Sequence, residues 1–319
     1  MPPRVSAADA SYFLGFDGGG AKTECVLADK DGHVLARATG GPSNPLRAGY
    51  TRAWFALSDA ADAVLGRQKV TACHIRGVCA GLGGAGRSGV ERRVTSFLEQ
   101  SYPNAAVRAT TDVEIALEAA FGAGEGLILL AGTGSAAFGR DASGRTARAG
   151  GRGPWFSDEG SAFDIGRRAI RAASLAEDGR GPATAIAKRI FTLHHCRGWE
   201  SLLERIAKNP DDVFPKTYPL VAQLADREDA VARAILAEAA RSLAELAGSV
   251  ANELGWRDRD IGIARVGGVY GRSKYFDAAI ERELKKSVPQ ARFASTDTSP
   301  AEAAVRIALR LSRPERNAD

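Results

Sequence analysis

The sequence predicts an α/β protein of two lobes built to one plan, and three observations predict it. An apolar run, a glycine turn, a second apolar run, an Asp-x-x-Gly turn and a third run occur at Tyr12–Ala38 and return at Gly126–Ala149. After each copy, segments with 3.6-residue apolar spacing alternate with short strand-like runs, as in sheets whose parallel strands are joined by helices. The length of 319 residues suits two domains of roughly 100–200 residues each.

Taken in order, Tyr12–Asp17 is an apolar strand that ends in an acid. Gly18, Gly19 and Gly20 follow, and the chain re-enters a strand that runs to Ala28 and turns at Asp29-Lys-Asp31-Gly32. Three residues without Cβ atoms let the backbone turn sharply and press its N–H groups onto a bulky anion, of which polyphosphate is the usual one. Asp17, at the strand end, is placed to hold Mg²⁺ through water, since that ion takes oxygen ligands and keeps its own waters. The same residues also suit an ordinary glycine-rich hairpin. They form neither a Walker A loop nor a dinucleotide fingerprint, because both of those run into a helix.

A loop at Gly40–Pro45 leads to a helix whose apolar residues are Trp54, Leu57, Ala61, Val64 and Leu65. A strand over His74–Leu82 enters Gly83-Gly-Ala-Gly86, and a helix follows over Val90–Gln100. The short strand from Ala106 delivers Thr110, Thr111 and Asp112 at its carboxyl end, where ligands of open α/β sheets collect. Asp112 is equally suited to cap the helix Val113–Ala120.

The second copy runs through strand Gly126–Ala131, turn Gly132-Thr133-Gly134-Ser135, strand Ala136–Gly139, turn Asp141–Gly144 and strand Arg145–Ala149. Repetition of the whole layout indicates an internal duplication. The loop Gly150–Gly160 then carries adjacent carboxylates, Asp158 and Glu159, which are acceptors suited to sugar hydroxyls. Ser157 and Asp158 suit the cap of a helix from Ser161 toward Ala176. Pro182–Leu254 reads as helical, with the longest helix at Glu228–Leu254. A buried strand, Ile261–Val266, enters Gly267-Gly268, and helix Ser273–Lys286, strand Arg292–Ala294 and helix Ala301–Leu311 close the chain.

Composition is that of a globular protein, with 45% hydrophobic and 25% charged residues. The net charge of +5 suits an anionic substrate, but no basic tract is dense enough for nucleic acid. Cys25, Cys73, Cys79 and Cys196 are irregularly spaced, as reduced thiols are. His194-His195-Cys196 lacks a second ligand pair at zinc spacing. No apolar stretch approaches the ~20 residues that span a bilayer, and Met1–Ser11 has no apolar signal core, so a cytoplasmic protein without membrane contact is expected.

Three glycine junctions (Asp17–Gly20, Gly132–Ser135, Gly267-Gly268), Thr111-Asp112 and Asp158-Glu159-Gly160 stand in the order found in one family. From about Tyr12 to Leu311 the chain resembles the N-acetylglucosamine kinases of the BadF/BadG/BcrA/BcrD-type ATPases, within the actin-like sugar kinases. The resemblance implies a duplicated ribonuclease-H-like fold with lobes 12–120 and 121–311, the second carrying a helical insertion, an ATP cleft between them, and flexible termini at 1–11 and 312–319. It implies that Asp17, Gly18, Gly19, Gly20, Ala21, Lys22 and Thr23 form a first phosphate loop. Gly132, Thr133, Gly134 and Ser135 would form a second, and Gly267 and Gly268 an adenosine motif.

The resemblance also implies an amino-sugar substrate held by Asn44, Gly151 and Asp158, with Asp112 as the catalytic base, and it implies MgATP and a homodimer. The doubly acidic loop adds Glu159 to the sugar ligands. Many family members read Gly-Gly-Trp where this chain has Gly150-Gly151-Arg152, a loop similar to that of bacterial glucosamine kinases of the same group. The expected sugar is N-acetylglucosamine, with glucosamine as the alternative and N-acetylmuramic acid left open, and Arg152 either contacts its N-acetyl oxygen or pairs with Asp158 or Glu159. A related class, the ATPase activators of radical dehydratases, needs paired cysteines for an iron–sulfur cluster. Another large sugar-kinase family carries a zinc-binding cysteine cluster. This chain has neither pattern, and no DNA-binding helix pair marks it as a sugar sensor.

Overall fold

The computed structural model describes residues 11–294 and 296–312, the Ser88 side chain apart. The expected flexible termini, 1–11 and 312–319, fall outside the described residues except for Ser11 and Ser312. The chain forms two compact units. One joins the described residues up to Ala123 with those from Thr296 onward, and the other spans Gly124–Ser295.

The first unit opens with strands β1 (Tyr12–Gly18), β2 (Thr23–Asp29) and β3 (Val34–Gly40), followed by a single-turn helix α1 (Pro45–Ala48) and helix α2 (Tyr50–Gln68). Strand β4 (Ile75–Leu82), helix α3 (Ser88–Ser101), strand β5 (Ala106–Thr110) and helix α4 (Asp112–Phe121) complete it up to Ala123. The sheet order is β3-β2-β1-β4-β5, with β1–β3 antiparallel and β4 and β5 parallel to β1.

The second unit contains strands β6 (Gly126–Ala131), β7 (Ser135–Arg140) and β8 (Thr146–Gly150), then helices α5 (Ala162–Glu177), α6 (Ala185–Leu193), α7 (Trp199–Lys208), α8 (Phe214–Asp226) and α9 (Ala230–Glu253). Strand β9 (Ile261–Val266), helix α10 (Lys274–Ser287) and strand β10 (Ala291–Ala294) follow. The order β10-β9-β6-β7-β8 repeats the pattern of the first sheet, with the same mixture of antiparallel and parallel pairs. Its core joins the sheet to α5, α8, α9 and α10, and the fully buried Phe163, Tyr218, Leu243, Trp256 and Phe276 fill it. His194 belongs to this packing, its buried Nε2 lying 2.8 Å from Thr217 Oγ1.

The last helix, α11 (Pro300–Leu311), departs from the sequence expectation. Residues 121–311 were expected to form one lobe, yet α11 belongs to the first unit. The physical reason lies in small residues. Alternation along β1 sends Leu14 and Phe16 toward α2 and leaves Phe13 on the other face, with Val26, Cys79, Ala301, Ala304, Val305 and Ala308. A Cβ on Gly15 would strike the backbone of α11 at Ala301 and Val305, and one on Gly77 would lie 2.5 Å from the Ala308 carbonyl oxygen. Glycines on the strands and alanines on the helix thus let the two backbones approach closely. Glu302 accepts a salt bridge from Arg37 of β3, and the buried Glu118 of α4 pairs with Arg310 at 2.8 Å.

Candidate active site

The first glycine turn is braced from three sides. Gly19 donates its N–H to the Lys22 carbonyl at 2.9 Å, while its own carbonyl accepts from Ser43 and Asn44, both at 3.1 Å. The Gly18 carbonyl accepts from the N–H of Gly83, just beyond β4, at 2.8 Å. A Cβ on Gly18 would overlap Ser43 Oγ and Leu82 Cδ2, so glycine is required there by packing. Past it the turn opens to solvent, with Gly20, Ala21 and Lys22 exposed. Thr23 differs from its expected role in a phosphate loop. Its side chain is fully buried, and its hydroxyl lies 2.6 Å from the Gly41 carbonyl and 2.7 Å from Ser43 Oγ.

Asn44 and Asp112 come together at Gly83. A Cβ there would sit 3.1 Å from Asn44 Nδ2 and 3.4 Å from Asp112 Oδ2, while Asn44 Oδ1 lies 3.0 Å from the equivalent point on Gly84. Asn44 also caps α1, its Oδ1 accepting from the Leu46 N–H at 3.0 Å. Thr111 caps α4, accepting from the Glu114 N–H at 3.2 Å, so Asp112 is the first residue of that helix and not its cap. Asp17 lies close enough to feel this carboxylate. Burial first, then the charges of Asp112 and Glu24, push its pKa up to about 7 against a lesser opposing pull from Lys22. Half-buried acids that repel one another make a donor set suited to a divalent cation, so the residues fit a magnesium ion.

In the second unit the corresponding turn is tied to the loop before α5. Gly132 donates to the Gly134 carbonyl at 2.9 Å, and its carbonyl accepts from the Ala162 N–H at 2.9 Å. Ser135 is buried, its hydroxyl donating to the Glu159 carbonyl at 2.6 Å. Asp158 is buried with φ +63°, a left-handed conformation sparsely populated by residues other than glycine. Its Oδ2 lies 2.8 Å from where a Gly134 Cβ would stand. Gly267, with φ +119°, packs on this turn so closely that a Cβ would overlap the Ala131 carbonyl. A Cβ on Gly132 or Gly268 would meet nothing within 4 Å. Thr133 and Arg152 are exposed. Gly151, with φ +69°, backs onto Arg148, whose Nη2 donates to the Gly151 carbonyl at 3.2 Å.

The model of the BadF/BadG/BcrA/BcrD ATPase family matches residues 14–305. The chain belongs to that family. This family member is 29% identical to the N-acetylmuramic acid/N-acetylglucosamine kinase of Clostridium acetobutylicum, over 93% of its own length and 98% of the relative's. It is 28% identical to the N-acetyl-D-glucosamine kinase of Dictyostelium discoideum, over 93% and 97%. A Chromobacterium violaceum structure described as a candidate N-acetylglucosamine kinase superposes with a TM-score of 0.75 at 26% identity, over 96% of this chain and 100% of that one. The duplicated ribonuclease-H-like α/β fold is thus the fold of this member of the family.

Within it, the structure brings Asp17, Gly18, Asn44 and Asp112 together in the first unit, and Gly132, Gly134, Asp158 and Gly267 in the second. Sequence reading missed Gly83 and Ser43. Gly83 carries the same strand–glycine signal as the other junctions and was visible on that ground. Ser43 offers no local signal, because its role is to fill the space beside Gly18.

Proposed function

We propose that the protein is an ATP-dependent amino-sugar kinase that transfers the γ-phosphoryl of MgATP to the 6-hydroxyl of N-acetylglucosamine. The observation that carries this reading is the convergence of the Asn44 amide and the Asp112 carboxylate on Gly83, beside a glycine turn and a second acid. An amide and a carboxylate side by side suit the donors and acceptors of adjacent ring hydroxyls. A carboxylate next to a phosphate-type turn is what an alcohol acceptor requires.

In the proposed step the sugar O6 forms a bond to phosphorus, the bond from phosphorus to the β–γ bridging oxygen breaks, and ADP leaves. The hydroxyl proton passes to Asp112. The turns Gly18–Gly20 and Gly132–Gly134 hold phosphate oxygens through N–H groups other than those of Gly19 and Gly132, which donate to the Lys22 and Gly134 carbonyls. Ala21, Lys22, Thr133 and the buried Thr23 and Ser135 shape the two turns, and Gly267 and Gly268 face the adenosine. Magnesium, when bound, neutralises phosphate charge, and Asp17 holds it through water. Asn44 and Asp158 hold ring hydroxyls, with Gly151, Arg152 and Glu159 in the same loop. A guanidinium in that loop repels the ammonium of glucosamine and favours the acetylated sugar. The names of the two kinase relatives support the same substrate class. The proposed setting is cytoplasmic, with the protein a homodimer. Among the described residues no helix is long and apolar enough to cross a membrane.

A coupled ADP-release assay over N-acetylglucosamine, glucosamine, N-acetylmuramic acid and glucose tests the proposal. The highest kcat/KM is expected for N-acetylglucosamine. A preference for glucosamine would overturn the sugar assignment, and ADP release independent of every sugar would overturn the kinase reading.

A further inference from the structure

We propose that Arg47 binds the transferring phosphoryl group at the first glycine turn. This rests on the kinase reading above and adds a residue that the sequence motifs leave out. Arg47 stands at the exposed end of α1, three residues after Asn44. The segment is built onto the turn: the N–H groups of Ser43 and Asn44 both donate to the Gly19 carbonyl, and the Arg47 N–H donates to the Asn44 carbonyl at 3.1 Å. From that base the side chain reaches back over the turn. A Cβ on Gly20 would lie 3.3 Å from Arg47 Cδ and 3.4 Å from Nη1, so the guanidinium crosses the face of Gly20, where no side chain stands between them.

The charge balance of this corner calls for such a group. Asp17 and Asp112 already repel one another there, and a triphosphate brings about four further negative charges. Lys22 on the same turn is the cation that lowers the Asp17 pKa, but as a compact point charge it does not match the fork of phosphate oxygens. A guanidinium does, with paired N–H donors spaced for two oxygens. Arg47 exchanges no proton and forms no covalent bond. It offsets charge on the phosphoryl oxygens as the bond to O6 forms and the bond to ADP breaks, and it distinguishes ATP from ADP by the oxygens that only ATP carries.

Arg47→Ala and Arg47→Lys, made in the full chain, test this. In the alanine variant kcat with N-acetylglucosamine should fall by about 10²–10³-fold, the range for losing one charge-stabilising donor, while the KM for sugar stays within about twofold. Lysine should recover part of the loss, and added guanidinium ion should restore the alanine variant saturably. Calorimetry with ADP and a non-hydrolysable ATP analogue should show affinity for the analogue falling at least about tenfold in the alanine variant, with ADP unchanged. Unchanged kcat and analogue affinity would overturn the proposal. So would an effect confined to the KM of N-acetylmuramic acid, which would put Arg47 on that sugar's carboxylate. Equal loss of ADP and analogue affinity without guanidinium rescue would make the residue merely structural. If the wild-type protein phosphorylates none of the sugars, the kinase reading fails, and the two binding measurements still decide Arg47.

Discussion

In the first unit β1 ends at Asp17-Gly18, and the N–H of Gly83, just past β4, donates to the Gly18 carbonyl at 2.8 Å. In the second, β6 ends at Ala131, and the N–H of Val269, just past β9, donates to the Ala131 carbonyl at 3.1 Å. Both units thus use the same strand, turn and brace, and in both an N–H of the turn (Gly19, Gly132) donates to a carbonyl within the turn. They differ in the side chains at the strand ends. The first sets acids there, Asp17 on β1 and Asp112 just beyond β5, whereas the second sets Ala131 on β6. Its acid, Asp158, comes instead from a loop and packs on the turn itself. The two units thus repeat one turn and differ in where their acids stand.

The most severe test of this asymmetry is Asp112→Asn. It should lower kcat by about 10²–10⁴-fold with nucleotide affinity retained, as loss of a positioned base does. Single-turnover kinetics and calorimetry check both parts, and full activity would remove the first unit's claim to the chemistry. Next come Asn44→Ala and Asp158→Ala, one from each unit, each expected to raise the sugar KM by about 10-fold or more through loss of hydrogen bonds to ring hydroxyls. Asn44→Ala should also cost about 1 kcal/mol of stability from the lost cap of α1.

A smaller effect separates packing glycines from ligand-facing ones. Gly132→Ala meets open space and should melt like the wild type while raising the KM for ATP about tenfold. Gly267→Ala should instead lower the melting temperature before any ligand is added, because its Cβ overlaps the Ala131 carbonyl and its φ is left-handed. Identical behaviour of the two variants would dissolve the distinction.

The mildest effect concerns Asp17. Its pKa rises from 3.8 to about 7 on folding, so between those values the folded protein holds a proton that the unfolded chain releases. Ligand-free stability therefore falls as pH rises through that window. Asp17→Asn should melt a few degrees above the wild type at pH 8, with the gap closing by pH 4, although it loses magnesium-dependent activity. In the wild type, magnesium affinity should weaken below about pH 7, where the carboxyl takes up its proton.

Much of the fold was legible because its signals are local. The strands around both glycine turns, the helix from Tyr50 and the long helix at Ala230–Glu253 follow from runs and spacings a few residues long. Asp17, Asn44 and Asp112 were recognisable by motif, but their meeting point at Gly83 was not, since it depends on two strands and a loop far apart in sequence. The buried hydroxyls of Thr23 and Ser135 read like ligand groups in a motif and turn out to bind the protein's own carbonyls.

By itself the sequence determined which segments are strands and helices, that the layout occurs twice, and which glycines interrupt it, because backbone preference and apolar period act over a few residues. Only the tertiary structure decided that α11 returns to the first sheet, since Gly15 and Gly77 look like weak points in a strand until a helix of alanines is laid across them. Close packing is a property of pairs of surfaces, and neither surface carries its partner's address.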